Sequence, residues 1–295
     1  MSGWRSAALA AGIAAACAGD PTAPPSDTPP PVVATDYRDL VYTTVPRALH
    51  LDLYVPTGTA PAPLIVWVHG GGWQSGEKSL GVQHPALKQR SRGYAIASVE
   101  YRLSGEAIFP AQIADCKAAI RWLRANAARY RLDPQRIAAW GSSAGGHLVA
   151  LLGTSAGVGA LEDLAQGHAR ESSAVRAVVD WYGPTDFLQM DPSHLLAGSP
   201  ESRLLGCTVT QCPERVALAN PIRYVESTDP PFLVQHGSAD PVVNLRQSEL
   251  LHGALTAAGV PSTLTVLPGA GHGGAEFTAA SNVALIEAFL DRYLR

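Results

Sequence analysis

A serine lies at the centre of the pentapeptide Gly141-Ser142-Ser143-Ala144-Gly145, between a short apolar segment and a segment with helical spacing. A sharp strand-to-helix turn that exposes a nucleophile admits only small residues two positions either side of it, and both positions here are glycine. The same residues could instead form a turn that merely reverses the chain. The strand before and the helix after favour the first interpretation. We therefore predict that Ser143 is a nucleophile and that Ser142 is turned away.

A serine hydroxyl needs a base to take its proton and a carboxylate to orient that base. In a strand-turn-helix context these partners follow the serine in the order acid, then histidine. Asp240 comes shortly after the apolar run "FLVQHG", and His272 lies in a glycine-rich loop after "STLTVL". We predict Asp240 as the acid and His272 as the base, with Asp186 as the alternative acid. Because the base must be neutral, activity should fall as the pH drops through about 6.5, the ordinary histidine range.

The stretch "LIVWVHGGGWQSGEKS", residues 64–79, runs an apolar strand into three glycines whose N–H groups are suited to bind an anion. One candidate anion is a nucleotide phosphate, because Gly71 and Gly76 have the spacing of a P-loop. Glu77, however, stands where that loop needs lysine, and its carboxylate would repel a phosphate. The other candidate is the oxyanion of a tetrahedral reaction intermediate, which needs no lysine there.

We predict that the N–H groups of Gly71, Gly72 and Ala144 form such an oxyanion hole. A donor held in place in this way stabilises a transition state by roughly 3 kcal/mol. Glycine is needed in the loop because a side chain would keep the backbone away from the substrate.

Aromatic residues lie near the ends of the same predicted strands. We predict that Trp73, Trp181 and Tyr182 contact substrate, although aromatic side chains at such positions are as often ordinary packing. The sequence has neither clustered metal ligands nor a dinucleotide motif directly after a strand, so we expect no metal and no cofactor.

The elements that must position these residues alternate along the chain. Apolar runs typical of buried strands, such as "PLIVWVHG" and "YAIASVEYR", alternate with amphipathic helical segments from residue 64 onward. This alternation predicts an α/β domain over residues 36–295, with a mostly parallel central sheet and helices on both faces. An irregular excursion from Pro184 to Pro231 is expected over the site. Ligands of such sheets bind at the carboxyl ends of the strands, where the candidate residues lie.

The N-terminal segment differs in composition from the rest of the chain. Residues 1–19 have one Arg followed by an Ala-rich apolar stretch, which is typical of a signal peptide. Residues 20–35 are Pro-rich and predict a linker. Cys17 stands at the end of the apolar stretch, so two interpretations stay open: a lipoprotein signal with a lipid on Cys17, or an ordinary secretory signal. Either predicts export, to the periplasm, the cell exterior or the membrane surface of a bacterium.

Composition excludes other classes of protein. The net charge of −3 over 295 residues, without a basic run, argues against nucleic-acid binding. No apolar run reaches the 18 residues or so that a membrane-spanning helix needs. Cys207 and Cys212 lie close together in a polar segment, and after export we expect a disulfide worth roughly 2 kcal/mol. Cys116 falls on a helical pattern and is expected to be an inert buried thiol.

Several motifs, in order, resemble one family: "HGGGW", "YRLS", "DPQRIAAWGSSAGGHL", "WYGPTDF" and "HGSADPVV", followed by "GAGHGG". The chain resembles esterases of the α/β-hydrolase fold, in the hormone-sensitive-lipase-like branch. Within that branch it is most similar to the bifunctional feruloyl and acetyl-xylan esterase group. "GEAIFPAQ" after "YRLS" departs from the Ala-Pro-Glu of many members of the branch and favours this group.

The resemblance implies a serine carboxylesterase that hydrolyses short acyl or aryl esters through an acyl-enzyme. Ser143, Asp240 and His272 would be the triad, and Gly71, Gly72 and Ala144 the oxyanion donors. The expected partner is a small-molecule or polysaccharide-linked ester. An amidase, peptidase or arylformamidase on the same fold, or a non-catalytic binding protein, remains the alternative. The natural ester and the oligomeric state are left open.

Overall fold

Eight strands form one sheet in the part of the chain that the structure describes. The structure is a computed structural model and describes residue 1 and residues 33–295. In chain order the strands are β1 (Thr35–Thr43), β2 (Leu49–Val55), β3 (Ala62–Val68), β4 (Ala95–Val99), β5 (Leu132–Ser142), β6 (Ala177–Trp181), β7 (Phe232–Gly237) and β8 (Ser262–Leu267). They lie in the order β1-β2-β4-β3-β5-β6-β7-β8. β1 and β2 are antiparallel to their neighbours and β3–β8 are parallel, which confirms the predicted mostly parallel sheet.

Helices connect the parallel strands and also follow the last of them, β8. They are α1 (Pro85–Lys88), α2 (Ala111–Ala125), α3 (Ala127–Tyr130), α4 (Ala144–Thr154), α5 (Pro200–Leu205), α6 (Pro213–Ala219), α7 (Arg246–Ala257), α8 (Ala275–Thr278) and α9 (Ala280–Leu294). Short 3-10 helices lie at Gln89–Arg92, Gly159–Leu161, Leu164–Gln166, Phe187–Gln189, Pro192–Leu195, Val209–Gln211 and Pro221–Tyr224.

The helices cover both faces of the sheet. Ile113 of α2, Leu148 of α4 and Leu251 of α7 belong to the core on one face. Ile286 and Leu290 of α9 belong to the core on the other face. All seven residues of β3 are buried because this strand is covered on both sides, and this explains its continuous apolar run.

The parallel register aligns the carboxyl ends of the strands. Val68, the last residue of β3, pairs with Gly141 near the end of β5. Ser142 of β5 pairs with Trp181 at the end of β6, and Gly237 of β7 pairs with Leu267 of β8. The loops that leave these strand ends therefore meet on one edge of the sheet.

The segment between β6 and β7 is the predicted excursion, and it contains α5, α6 and several of the 3-10 turns. A disulfide joins Cys207 to Cys212 within it, as expected. Cys116 is a buried free thiol on α2.

The predictions for the N-terminus lie mostly outside the described residues. These are the signal peptide of residues 1–19, the lipid on Cys17 and residues 20–32 of the linker. β1 begins at Thr35, one residue before the predicted start of the domain. Among the described helices, none combines the length and apolar character needed to cross a membrane.

Candidate active site

Ser143 lies on a strained turn between β5 and α4. Its backbone has φ 54° and ψ −121°, a conformation that residues other than glycine rarely adopt. The Ser143 N–H donates to the Trp181 carbonyl oxygen at 2.8 Å, which fixes the turn to the end of β6. A Cβ atom on Gly145 would overlap the Val68 carbonyl oxygen, and one on Gly141 would overlap that of Gly145. Both glycines are therefore required by the close approach of the turn to its own backbone and to β3.

His272 connects Ser143 to Asp240. Its Nε2 lies 2.8 Å from Ser143 Oγ, and its Nδ1 lies 2.7 Å from Asp240 Oδ2. A neutral imidazole donates from one nitrogen and accepts at the other. With Nδ1–H donating to the carboxylate, Nε2 is free to accept the Ser143 hydroxyl proton. The ends of β5, β7 and β8 bring these three side chains together.

Asp240 is held as a carboxylate. Its side chain is fully buried, and its Oδ1 accepts the N–H groups of Val242 and Val243 at 2.8 and 3.0 Å. Burial alone would raise the pKa of Asp240, but hydrogen bonds from His236, His272 and these two N–H groups outweigh it and lower the pKa well below its ordinary value. The charge opposite the His272 ring therefore persists into strongly acidic solution.

A second histidine contacts this carboxylate. His236 is fully buried, and its Nε2 lies 3.4 Å from Asp240 Oδ2 and 2.7 Å from the Val243 carbonyl oxygen. Its Nδ1 lies 2.7 Å from Ser248 Oγ on α7, so both ring nitrogens have partners. The contact with Asp240 was missed from the sequence, although a histidine four residues before the acid is the signal that would have indicated it.

Asp186, the alternative acid, has another role. Its Oδ1 accepts the Leu188 N–H at 3.1 Å and its Oδ2 accepts Gln189 Nε2–H at 2.8 Å. It caps a 3-10 turn and has no contact with His272 among the hydrogen bonds of the described residues.

The glycine loop after β3 lies beside Ser143. Gly71, Gly72 and Trp73 all have positive φ, and a Cβ on Gly71 would overlap the Ser75 carbonyl oxygen. Within residues 33–295 we find no protein acceptor for the N–H groups of Gly71, Gly72 or Ala144. All three residues line the same cavity as Ser143. Residues with an N–H group that has no protein acceptor thus line the cavity of Ser143, which is in keeping with the predicted oxyanion site.

His69 fixes the base of this loop. Its Nδ1 lies 2.8 Å from the Gly70 carbonyl oxygen, and its ring stacks on Tyr101 with centroids 4.3 Å apart. Tyr101 Oη donates to the His69 carbonyl oxygen at 3.0 Å. Burial lowers the pKa of His69, so the ring acts as a neutral donor that holds the loop in place.

The cavity above Ser143 has a volume of about 350 Å³. Tyr182 lines it and packs edge-on against His272, with ring centroids 4.7 Å apart. Burial raises the pKa of Tyr182 to about 12, so its hydroxyl stays neutral. Trp73 also borders the cavity but is only 1% exposed, and its ring packs against His147 and Phe187. Trp73 therefore chiefly supports the glycine loop.

Trp181 is the predicted contact residue that the structure does not bring to the cavity. Its ring packs against Trp67, Trp140 and Phe277 in the core on the other face of the sheet. Its Nε1–H donates to Gln235 Oε1 at 2.6 Å. Trp181 contacts Ser143 through its carbonyl oxygen, and its side chain does not line this cavity, so the structure gives no support to the prediction that it contacts substrate.

Two polar residues of the excursion, His194 and Glu201, also line the cavity. Neither was identified from the sequence, because both lie in an irregular segment without a motif or a regular period. The pairing of their side chains depends on how this segment folds back over the strand ends.

A larger cavity, of about 730 Å³, lies at the amino ends of β6 and β7. Its lining includes Arg124, Arg176 and Asp229. Ser143, Asp240 and His272 are not among the residues that line it. Its size does not make it the reactive site, since the potential nucleophile and base face the smaller cavity.

Comparisons with known proteins show which family this chain resembles. The family model described as BD-FAE matches residues 51–255. Esterase LipQ of Mycobacterium tuberculosis is 33% identical over 244 residues, which cover 81% of this chain and 57% of LipQ. The chain spans about half the length of the curated relatives it matches, between 49% and 57% for the first three.

Solved structures are similar over most of the chain. A truncated carbohydrate esterase from gut microbiota superimposes with a TM-score of 0.81 and 34% identity, over 89% of this chain and 97% of that one. A bifunctional GH43-CE protein of Bacteroides eggerthii gives a TM-score of 0.81 and 35% identity, over 88% of this chain and 38% of that one.

Proposed function

The chain belongs to the BD-FAE family of α/β hydrolases, in the hormone-sensitive-lipase-like branch, and from this premise we propose that it is a serine carboxylesterase. The observation that carries the proposal is His272, whose two ring nitrogens lie within hydrogen-bond distance of Ser143 and Asp240. That the relatives are named esterases and carboxylic ester hydrolases supports the same reaction.

In the proposed mechanism His272 Nε2 takes the Ser143 proton as Oγ attacks the ester carbonyl carbon. The carbonyl oxygen becomes negatively charged and accepts hydrogen bonds from the N–H groups of Ala144, Gly71 and Gly72. The imidazolium that forms faces the buried Asp240 carboxylate. As the tetrahedral intermediate collapses, His272 gives its proton to the leaving alcohol. A water molecule, deprotonated by His272, then hydrolyses the acyl-Ser143 ester and restores the free enzyme.

We propose short acyl or aryl esters, free or attached to a polysaccharide, as substrates. A cavity of about 350 Å³ suits a small acyl group better than a long chain. Similarity to proteins named for carbohydrate esterase activity supports a sugar-linked ester.

The test compares 4-nitrophenyl acetate, butyrate and decanoate, methyl ferulate and the matched 4-nitroanilide of acetate. We expect the short and aryl esters to be hydrolysed at least about 100-fold faster than the anilide, and Ser143→Ala to lose turnover of all of them. A fluorophosphonate should label the natural chain and leave folded Ser143→Ala unlabelled. Faster amide hydrolysis would favour an amidase, and absence of both labelling and hydrolysis would favour a non-catalytic protein.

We further propose that the protein is exported from a bacterial cell. The Ala-rich segment in residues 1–19 and the Pro-rich linker support this. The disulfide between Cys207 and Cys212 is in keeping with an oxidising compartment.

A further inference from the structure

The excursion places a histidine–glutamate pair in the wall of the Ser143 cavity. His194 lies on a 3-10 turn and Glu201 on the first turn of α5. His194 Nδ1 lies 2.9 Å from Glu201 Oε1. Glu201 is only 3% exposed, although it borders the cavity.

One oxygen of this carboxylate has no partner. Glu201 Oε2 is buried and accepts no hydrogen bond from any residue that the structure describes. A buried carboxylate oxygen without a donor is unfavourable, and such an oxygen is usually completed by a water molecule, an ion or a ligand. Four residues that line the same cavity, Pro184, Pro200, Val242 and Val243, have apolar side chains without a donor.

The helix that carries Glu201 packs against the glycine loop after β3. Gly72 lies against Pro200 of α5, because a Cβ atom added to Gly72 would lie 3.4 Å from the Pro200 Cβ atom. Arg203 NH1 donates to Gln74 Oε1 at 3.0 Å and ties the same two segments together. Ser199 caps α5 by accepting the Ser202 N–H at 3.1 Å. These contacts hold the helix that carries Glu201 against the glycine loop after β3.

We propose that the Glu201–His194 pair recognises a hydroxyl group of the ester substrate, through a hydrogen bond from that hydroxyl to Glu201 Oε2. This inference rests on the proposed esterase function and adds a specificity-determining residue to it. A hydroxyl suits the site better than an ammonium group for two reasons. His194 already forms a hydrogen bond with the Glu201 carboxylate. The apolar residues of the cavity would also make it costly to remove water from the charged ammonium group of a ligand.

The hydroxyl can belong to the acyl or the alcohol part of the ester, and two substrate pairs distinguish these sources. The acyl-side pair is 4-nitrophenyl 3-hydroxybutyrate and 4-nitrophenyl butyrate. The alcohol-side pair is 2-hydroxyethyl acetate and ethyl acetate. The readout is the hydroxyl preference, defined as kcat/KM for the hydroxylated ester divided by kcat/KM for its partner in the same enzyme preparation.

We expect a hydroxyl preference of about 10- to 100-fold in one of the two pairs, since a hydrogen bond to a charged group is worth that factor. Glu201→Leu should reduce this preference to within about threefold of one. Glu201→Gln keeps an acceptor oxygen but loses the charge, so it should retain an intermediate preference. Glu214→Leu makes the same change at an exposed glutamate of α6 and should leave the preference as in the natural chain.

The outcomes separate this inference from the proposed function. Hydrolysis of all four esters with a preference near one in both pairs overturns the hydroxyl site and leaves the esterase intact. A strong preference that is unchanged in Glu201→Leu overturns it as well. If Glu201→Leu does not fold, as judged by circular dichroism, an unchanged preference in both Glu201→Gln and His194→Phe overturns the hydroxyl site instead. Failure of the natural chain to hydrolyse any ester contradicts the proposed function itself.

Discussion

At the scale of single residues, Asp240 shows how one carboxylate organises the site. It accepts two backbone N–H groups at one oxygen and faces His272 and His236 with the other. Each contact favours the charged form, so full burial does not neutralise the group. The acid of the candidate triad is therefore ionised before any substrate arrives.

Replacement of Asp240 by asparagine should reduce kcat by about 10⁴-fold. The amide would favour the wrong tautomer of His272, so that Nε2 would carry a proton and could no longer accept one from Ser143. Initial rates on a short 4-nitrophenyl ester measure the effect. Asp186→Asn is the matched control, because it alters the other acid that follows a strand, and it should change kcat by less than about threefold. Equal losses in the two variants would reject Asp240 as the acid.

Asp180 is a second buried acid, and its pKa is shifted in the direction opposite to that of Asp240. Its Oδ1 accepts the Gly183 N–H at 2.9 Å, while Oδ2 has no partner among the described residues. Burial raises the pKa of Asp180 from 3.8 to about 6. Between these two pH values the folded chain binds more protons than the unfolded chain. The free energy of unfolding contributed by Asp180 therefore falls as the pH rises from about 4 to about 6.

Asp180→Asn should remove this pH dependence. The stability of the variant relative to the natural chain should increase by about 2 to 3 kcal/mol between pH 4 and pH 7. Urea unfolding of both proteins across that range measures it, with Glu214→Gln as a control at an exposed position. A stability difference that does not vary with pH would contradict the assignment.

At the scale of elements, two turns at neighbouring strand ends form the reactive centre. The turn after β5 carries Ser143, and the loop after β3 carries the glycines. Gly145 lies so close to the end of β3 that a Cβ there would overlap the Val68 carbonyl oxygen and would lie 2.6 Å from that of His69. These are backbone atoms of a buried sheet and have little freedom to move.

Gly145→Ala should lower the free energy of unfolding by about 3 kcal/mol or more and suppress activity, because overlap with backbone is relieved only by shifting the turn. Gly253→Ala is the matched control. It lies in α7 with no atom within 4 Å of the added Cβ, so it should gain about 0.5 to 1 kcal/mol. Thermal and urea unfolding measure both variants. A fully stable and active Gly145→Ala protein would show that the turn does not need glycine there.

At the scale of the whole molecule, the α/β sheet and its helices are preceded by a segment of different composition. The proposed export and the predicted lipid anchor rest on the sequence of that N-terminal segment and not on the sheet. The prediction at this scale therefore concerns where in the cell the protein resides.

If Cys17 carries a lipid in the natural chain, Cys17→Ala should move the protein from the membrane fraction to the soluble fraction of a bacterial host. The reason is that a thioether-linked lipid would be the anchor, and alanine cannot accept it. Immunoblots of fractionated cells measure the distribution, and Cys116→Ala is the control because that thiol is buried in α2. Unchanged membrane association in Cys17→Ala would rule out this anchor and favour an ordinary secretory signal.

The amino-acid sequence was enough to predict the mostly parallel sheet and to select Ser143, Asp240, His272 and the glycine loop as candidates. Local rules identify these residues, because each lies where a recognisable apolar strand ends and sharp turns need glycine at fixed positions. The directions of side chains without such constraints depend on contacts between segments that are distant in the chain. Trp181 ends a strand in which all five residues are buried, so burial does not reveal which side chain faces the cavity. The Glu201–His194 pair and the contact of His236 with Asp240 join side chains through irregular loops, and no sequence period encodes such contacts.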